Sequence, residues 1–328
     1  MEFELDLIRW MQSFSNGFLD ALFQFFTMFG EELIIIGVLG YLYWCHDKKV
    51  GEYVGVTVFI SLFLNSTIKT IVQRPRPFVA DPVGVQNIRP DTATGYAFPS
   101  GHTQGAATVF GSLSAWLRKR WLTVASTVII VLVAISRMYL GAHYLSDVVV
   151  GAALGILLAV GLQVVFSKHS AATRKLYDAI AIGGVALAVG VFVWRFATIE
   201  AAGGLTDAAN LYDKMEGTFK MIGAMLGFVL GVRFEAKKVD FKNHRILWRN
   251  LIRFAVGVAI VMAIRLGLKA IFGLVVDGTE LLEGEKILAA LAVLLDGLRY
   301  FTMVFVAIGV YPMAFAPFGS LVGKKANG

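Results

Sequence analysis

The chain has 328 residues, of which 57% are hydrophobic and only 16% charged, with a mean hydropathy of +0.70. A soluble domain carries about 25% charged residues, so the composition excludes one and indicates an integral membrane protein. The single Cys45 excludes a disulfide framework, and the net charge of +7 is concentrated in alternate loops, so nucleic acid is not its expected partner. Alternating ten-residue strands of the barrel type are absent, which leaves an all-α polytopic helical bundle. No cleavable signal peptide is expected, because "MEFELDLIRWMQSF" starts acidic and lacks a basic leading region.

Residues 1–29 place Phe18, Leu19, Leu22, Phe23, Phe25 and Phe26 on a broad apolar face, which predicts an interfacial amphipathic helix broken near Asn16-Gly17. Nine membrane spans follow, at about 31–45, 54–72, 101–117, 121–136, 146–166, 178–195, 217–233, 251–273 and 288–315. The domain division expected from this order is 1–29 as the interfacial helix, 30–166 as a catalytic core and 167–328 as a four-helix membrane extension.

Loop charge sets the orientation. One set of alternate loops holds sixteen Lys and Arg residues, among them Lys48, Lys49, Arg118, Lys119, Arg120, Lys237, Lys238, Arg245, Lys324 and Lys325. The other set holds eight: Arg9, Arg74, Arg76, Arg89, Arg137, Arg195, Lys214 and Lys286. The richer set belongs in the cytoplasm, so the amino terminus and the loops at 73–100 and 137–146 are expected outside and the carboxyl terminus inside. A cell (inner) membrane is the expected location. Gly151/Gly155, Gly223/Gly227 and Gly227/Gly231 form small-xxx-small pairs, read first as close packing within the chain and second as a homo-oligomer contact. Arg265 and Lys269 in the eighth span are read as snorkelling or paired charges, and Glu31 and Glu32 first as solvated helix-terminal residues and second as residues approaching the site.

Three stretches carry chemistry. In "KTIVQRPRP", Lys69 and Arg76 are seven residues apart and Pro75 and Pro77 fix the exit of the chain from its helix. In "FPSGHTQ", Ser100 is placed to cap a helix starting near Gly101, where a ligand can approach the backbone, and His102 is placed to donate a proton. In "SRMYLGAHYLSD", His143 and Asp147 are four apart, so a helix presents them together. The carboxylate then orients the imidazole and leaves its other nitrogen as a nucleophile, while Arg137 offers a forked donor for phosphate oxygens. Each stretch alone also reads as a cap or an interfacial anchor. Their convergence on one face supplies fixed cations, a helix amino terminus and two histidines, the set that phosphoryl transfer uses.

These residues resemble the three signatures of the type 2 phosphatidate phosphatase superfamily, which also includes the vanadium haloperoxidases: K-x6-R-P (Lys69, Arg76, Pro77), P-S-G-H (Pro99 to His102) and S-R-x5-H-x3-D (Ser136, Arg137, His143, Asp147). The resemblance covers roughly residues 54–166. It implies that Lys69, Arg76, Ser100, Gly101 and Arg137 bind phosphate. By the same resemblance His143 is the nucleophile that becomes a phosphohistidine, Asp147 its orienting partner and His102 the proton donor. It implies no metal or cofactor. The span arrangement is similar to glucose-6-phosphatase and related lipid phosphatases. The expected function is removal of a phosphate or terminal phosphate of a pyrophosphate from a membrane lipid at the outer face. The alternatives are a sugar-phosphate phosphatase and a phosphate-binding lipid transporter or flippase.

Overall fold

Apolar runs of this length satisfy their backbone groups in a bilayer only as helices, and the computed structural model is helical throughout, with no β-strand among the described residues. It describes residues 2–168, 170–201, 205–243 and 246–315; Arg245, Lys324 and Lys325, used above for orientation, lie outside them. The helices are α1 (Glu2–Gln12), α2 (Gly17–Thr27), α3 (Glu32–Tyr41), α4 (Lys48–Val72), the short α5 (Pro77–Ala80), α6 (Gly101–Leu117), α7 (Arg120–Tyr139), α8 (Leu145–Lys168), α9 (Ser170–Thr198), α10 (Asp207–Lys238), α11 (Leu247–Gly273) and α12 (Lys286–Phe305).

Seven helical stretches among the described residues are long and apolar enough to cross a membrane, and they fall on seven of the nine expected spans. The other two differ. The helix of residues 101–117 has 17 residues, just under the usual length. The first span is one arm of a pair, Gly17–Gly30 and Glu32–His46, bent by 47°. The amphipathic segment is two helices: the first stops at Gln12, and Asn16 caps the second, its side chain accepting from Phe18 N and Leu19 N at 3.1 Å each.

The chain forms two compact units. The first comprises residues 1–38 and 60–173, the second residues 39–59 and 174–328.

In the first unit, α8 crosses α6 at Gly151 and Gly155. A methyl group at either would stand 2.8 Å from Ser100 O or 2.7 Å from Gln104 O, so only hydrogen fits there. Asn65 of α4 donates to Gln104 Oε1 of α6 at 2.8 Å, and Gln104 donates to Ser61 O at 2.8 Å. This buried polar ladder fixes the register of α4 against α6, since breaking either end would strand a desolvated amide. One face of α1 buries Leu5 and Ile8 in a cluster with Val85, Ala97, Met138, Tyr144 and Val148, while Phe3 and Trp10 remain exposed.

In the second unit, α10 packs along α12 through its glycines. A side chain at Gly223 would strike Gly297 O, one at Gly227 would strike Phe301 O, and one at Gly231 would crowd Ile308. All the small-xxx-small pairs therefore serve packing within one chain.

Candidate active site

The first unit brings all eight sequence-predicted site residues to one end of α4, α6, α7 and α8. Pro75 and Pro77 stop α4, so Arg76 leaves it in extended conformation (φ −73°, ψ 158°) and turns its side chain back under the following loop. Its guanidinium donates to Gly95 O at 3.0 Å, to Ala142 O at 2.9 Å and to Thr94 O. Lys69, in the last turn of α4, donates to Tyr96 O at 2.8 Å. Arg137, in the last turn of α7 and fully buried, donates to Thr27 Oγ1 at 3.1 Å and to Thr92 Oγ1 at 3.2 Å. The three cations thus hold the backbone and hydroxyl oxygens of residues 92–96, together with Thr27 and Ala142. No carboxylate lies within 4 Å of any of them among the described residues.

Ser100 caps α6 as expected, with its Oγ 3.0 Å from Thr103 Oγ1 and 3.5 Å from Thr103 N. Its backbone N–H donates to Asp147 O at 3.0 Å, which fastens the start of α6 to α8. Gly101 follows as the first helical residue. His102 Nε2 and Arg137 Nε are buried with no hydrogen-bond partner among the described residues. Such groups are costly unless something pairs with them.

His143 sits between α7 and α8, after a turn that requires glycine. Gly141 has φ +74°, and a side chain there would strike Gln86 O. The imidazole is buried, with Nε2 3.3 Å from Arg76 Nη1 and Nδ1 3.5 Å from Asp147 Oδ2. A guanidinium only donates, so Nε2 is the acceptor and the ring proton lies on Nδ1, facing the carboxylate. Burial, followed by the charges of Arg76, Lys69 and Arg137, holds the His143 pKa well below its ordinary value.

The hydrogen bond from His143 Nδ1–H to Asp147 is not formed at 3.5 Å, because the carboxylate has stronger partners. Its Oδ2 accepts from Tyr144 N at 2.9 Å and its Oδ1 from Arg74 Nη1 at 2.7 Å. Arg74 also lies over the Tyr144 ring at 3.8 Å and donates to Ser146 Oγ at 2.6 Å and to Glu4 Oε2 of α1 at 2.8 Å. Glu4 closes the loop by accepting from Ser146 N at 2.8 Å. Burial pushes the Glu4 pKa up, but the hydrogen bonds from Ser146 and the pairing with Arg74 outweigh it and hold the carboxyl below its usual range. Sequence reasoning missed Glu4 and Arg74. Arg74 stood inside the first signature as an unspecified position, and Glu4 lies 70 residues away.

The arrangement can neutralise a multiply charged anion and attack it with a neutral, oriented imidazole. Comparison with known proteins gives matches in both halves of the chain. Residues 52–171 match the PAP2 superfamily, and residues 219–324 match the PAP2 superfamily phosphatase transmembrane extension. The decaprenylphosphoryl-5-phosphoribose phosphatase of Mycobacterium tuberculosis is 32% identical over 133 residues, 39% of this chain and 69% of that protein. The undecaprenyl-diphosphatase of Sulfolobus acidocaldarius is 28% identical over 156 residues, 47% of this chain and 73% of that protein. The phosphatidylglycerophosphatase B of Bacillus subtilis is 38% identical over 88 residues, so this chain spans only 43% of that relative's length. With its signatures matched and its second half aligned to the family's membrane extension, the chain belongs to the PAP2 superfamily.

Proposed function

We propose that the protein is a membrane phosphatase that removes a phosphate, or the terminal phosphate of a pyrophosphate, from a lipid, with residues 30–166 as the catalytic core. The observation that carries this reading is the group of three cations, Lys69, Arg76 and Arg137, gathered around His143 with no carboxylate within 4 Å of them among the described residues. Buried cations need a counter-charge, and a phosphoryl group supplies it across three oxygens. The substrate class follows from the relatives, whose names all specify lipid-linked phosphates. The loop charges support an active site on the non-cytoplasmic face.

The steps balance on this chain's own residues. The phosphate oxygens exchange the 92–96 carbonyls for themselves on Lys69, Arg76 and Arg137, with Gly101 N–H and Ser100 at the start of α6. His143 Nε2 attacks phosphorus in line, an N–P bond forms and the P–O bond to the lipid breaks. His102 gives its proton to the departing lipid oxygen. Asp147 stabilises the charge on Nδ1 as the ring becomes phosphorylated. Water then loses a proton to His102 and attacks phosphorus, the N–P bond breaks, and inorganic phosphate and neutral His143 result. Arg74 and Glu4 act as positioning residues: they hold Asp147 where it faces Nδ1. The three fixed cations supply the neutralisation, so no metal enters the mechanism.

The test is phosphate release by purified protein in detergent with excess chelator. The panel is phosphatidate, phosphatidylglycerol phosphate, a polyprenyl pyrophosphate, a sphingoid phosphate and glucose 6-phosphate, with His143→Ala as control. Chelator-insensitive release from a lipid, lost in the variant, is the expected result. Preference for glucose 6-phosphate would overturn the lipid assignment, and release persisting in the variant would overturn the nucleophile.

A further inference from the structure

The second unit contains a charged cavity that the phosphatase chemistry does not use. Helices α10, α11 and α12 surround a space of about 380 Å³ that Tyr212, Glu216, Lys220, Lys269 and Arg299 help to line. A smaller space of about 90 Å³ adjoins it, bounded also by Asp296. Charges in membrane helices are expensive and are kept where they do something, and here they come from three different helices.

Asp296 is the organiser. Its carboxylate accepts from Tyr212 OH at 2.8 Å, pairs with Arg299 Nη2 at 2.7 Å and lies 3.6 Å from Lys220 Nζ. Lys220 pairs with Glu216 one turn away. These bonds fix the direction of the cations but leave donors over. Arg299 is 92% buried, lines both spaces, and its Nε has no hydrogen-bond partner among the described residues. Lys269, expected to snorkel or pair, lines both spaces beside Asp277, whose carboxylate its charge favours, with no carboxylate within 4 Å among the described residues. An acceptor with several oxygens satisfies both donors at once, and a phosphate diester is such a group. Facing them, Glu216 offers carboxylate oxygens that suit a ligand end carrying N–H or O–H. The volume is in the range of small-ligand sites. Leu266 and Ile271 of α11 and Leu274 just after it are exposed, as an acyl-chain contact would require.

We infer that this cavity binds the headgroup of a phospholipid: a phosphate diester held by Arg299 and Lys269, with an amine- or hydroxyl-bearing end held by the carboxylate side. The site is independent of the hydrolytic reading, because none of its residues belongs to the first unit.

The experiment is native mass spectrometry of the full chain in detergent, titrated with short-chain phosphatidylethanolamine, phosphatidylcholine and soluble glycerophosphoethanolamine. Saturable binding of the ethanolamine lipid is expected, weakened roughly tenfold in Lys269→Gln, the loss of one charge-assisted bond. Phosphate release by the same variant should stay within about twofold of the wild type. Arg299→Gln should weaken binding further; Lys269 is exposed, so its variant keeps the test valid if the buried change prevents folding. Weaker binding of the choline lipid, which has no N–H, supports the donor-bearing end. Equal binding of the soluble headgroup supports the same chemistry with a water-borne ligand as its source. Equal binding of both lipids, unchanged binding in Lys269→Gln, or no saturable binding would overturn the inference.

Discussion

The two units handle buried charge in opposite ways. In the second, Asp296 gathers Tyr212, Arg299 and Lys220 around one carboxylate, and Glu216 answers Lys220, so most of the charge is compensated inside the protein. In the first, Arg76, Arg137 and Lys69 hold carbonyls and hydroxyls, while the nearby carboxylate, Asp147, is taken by a fourth cation, Arg74. A carbonyl carries a dipole where a carboxylate carries a full charge, so the first unit retains positive potential on all three cations, while the cluster in the second leaves over only Lys269 and the Nε of Arg299 among the described residues. Compensated charge specifies packing, whereas uncompensated charge specifies a ligand.

Removing the nucleophile should have the greatest effect. His143→Ala should reduce phosphate release by roughly 10⁴-fold or more while leaving vanadate binding detectable, because the cations remain; loss of both together would point to a collapsed site. Next in size, Arg137→Ala should cost about 10²–10³ in kcat, as removal of a transition-state donor does. Asp296→Leu makes the opposite trade. Stranding Arg299 should destabilise the protein by about 3–5 kcal/mol in a detergent melt, with residual folded protein turning over normally. A variant as stable as the wild type would show that the second cluster is not compensated internally.

Smaller effects sharpen the picture of the site itself. Arg74→Gln should lower kcat about tenfold to a hundredfold with little change in KM, and Glu4→Gln a few-fold, because each loosens Asp147 without touching substrate. Arg74→Lys should restore part of the loss by keeping the charge on Asp147. Equal losses in KM would make Arg74 a substrate ligand instead.

The pH profile gives the smallest shift. The neighbouring cations and burial disfavour the imidazolium form of His143 in the free enzyme, so its neutral form persists to lower pH than in water. The acid limb of kcat/KM should therefore fall below the ordinary histidine value of about 6.5. Arg137→Gln should move that limb upward, since one repelling charge is gone. A wild-type limb at or above 6.5 would contradict the environment of His143 described here.

Much of this was legible in the sequence. Hydropathy located the helices, and the Pro, Ser-Gly-His and i, i+4 patterns picked out residues that the first unit brings together, because each is a local relation within a few turns. What escaped were relations without a local period. Glu4 and Arg74 are joined across 70 residues by an ion pair that no spacing announces. Tyr212 and Asp296 meet across 84 residues, and Lys269 reaches their cavity from a third helix, so a charge that resembles an anchor in isolation becomes a wall of a pocket. The weakened contact between Asp147 and His143 was also hidden, because the competing guanidinium comes from outside the helix that carries the pair.

The oxygens of residues 92–96 that occupy Lys69, Arg76 and Arg137 have a kinetic consequence. On the proposed mechanism, binding a phosphate here is an exchange reaction, in which each new contact replaces one already made, and affinity reflects only the difference between them. Inorganic phosphate, the last species to leave, is therefore held far less tightly than three arginine and lysine side chains would hold it unopposed. On that mechanism, a segment of backbone that competes for the donors would weaken inhibition by accumulated product.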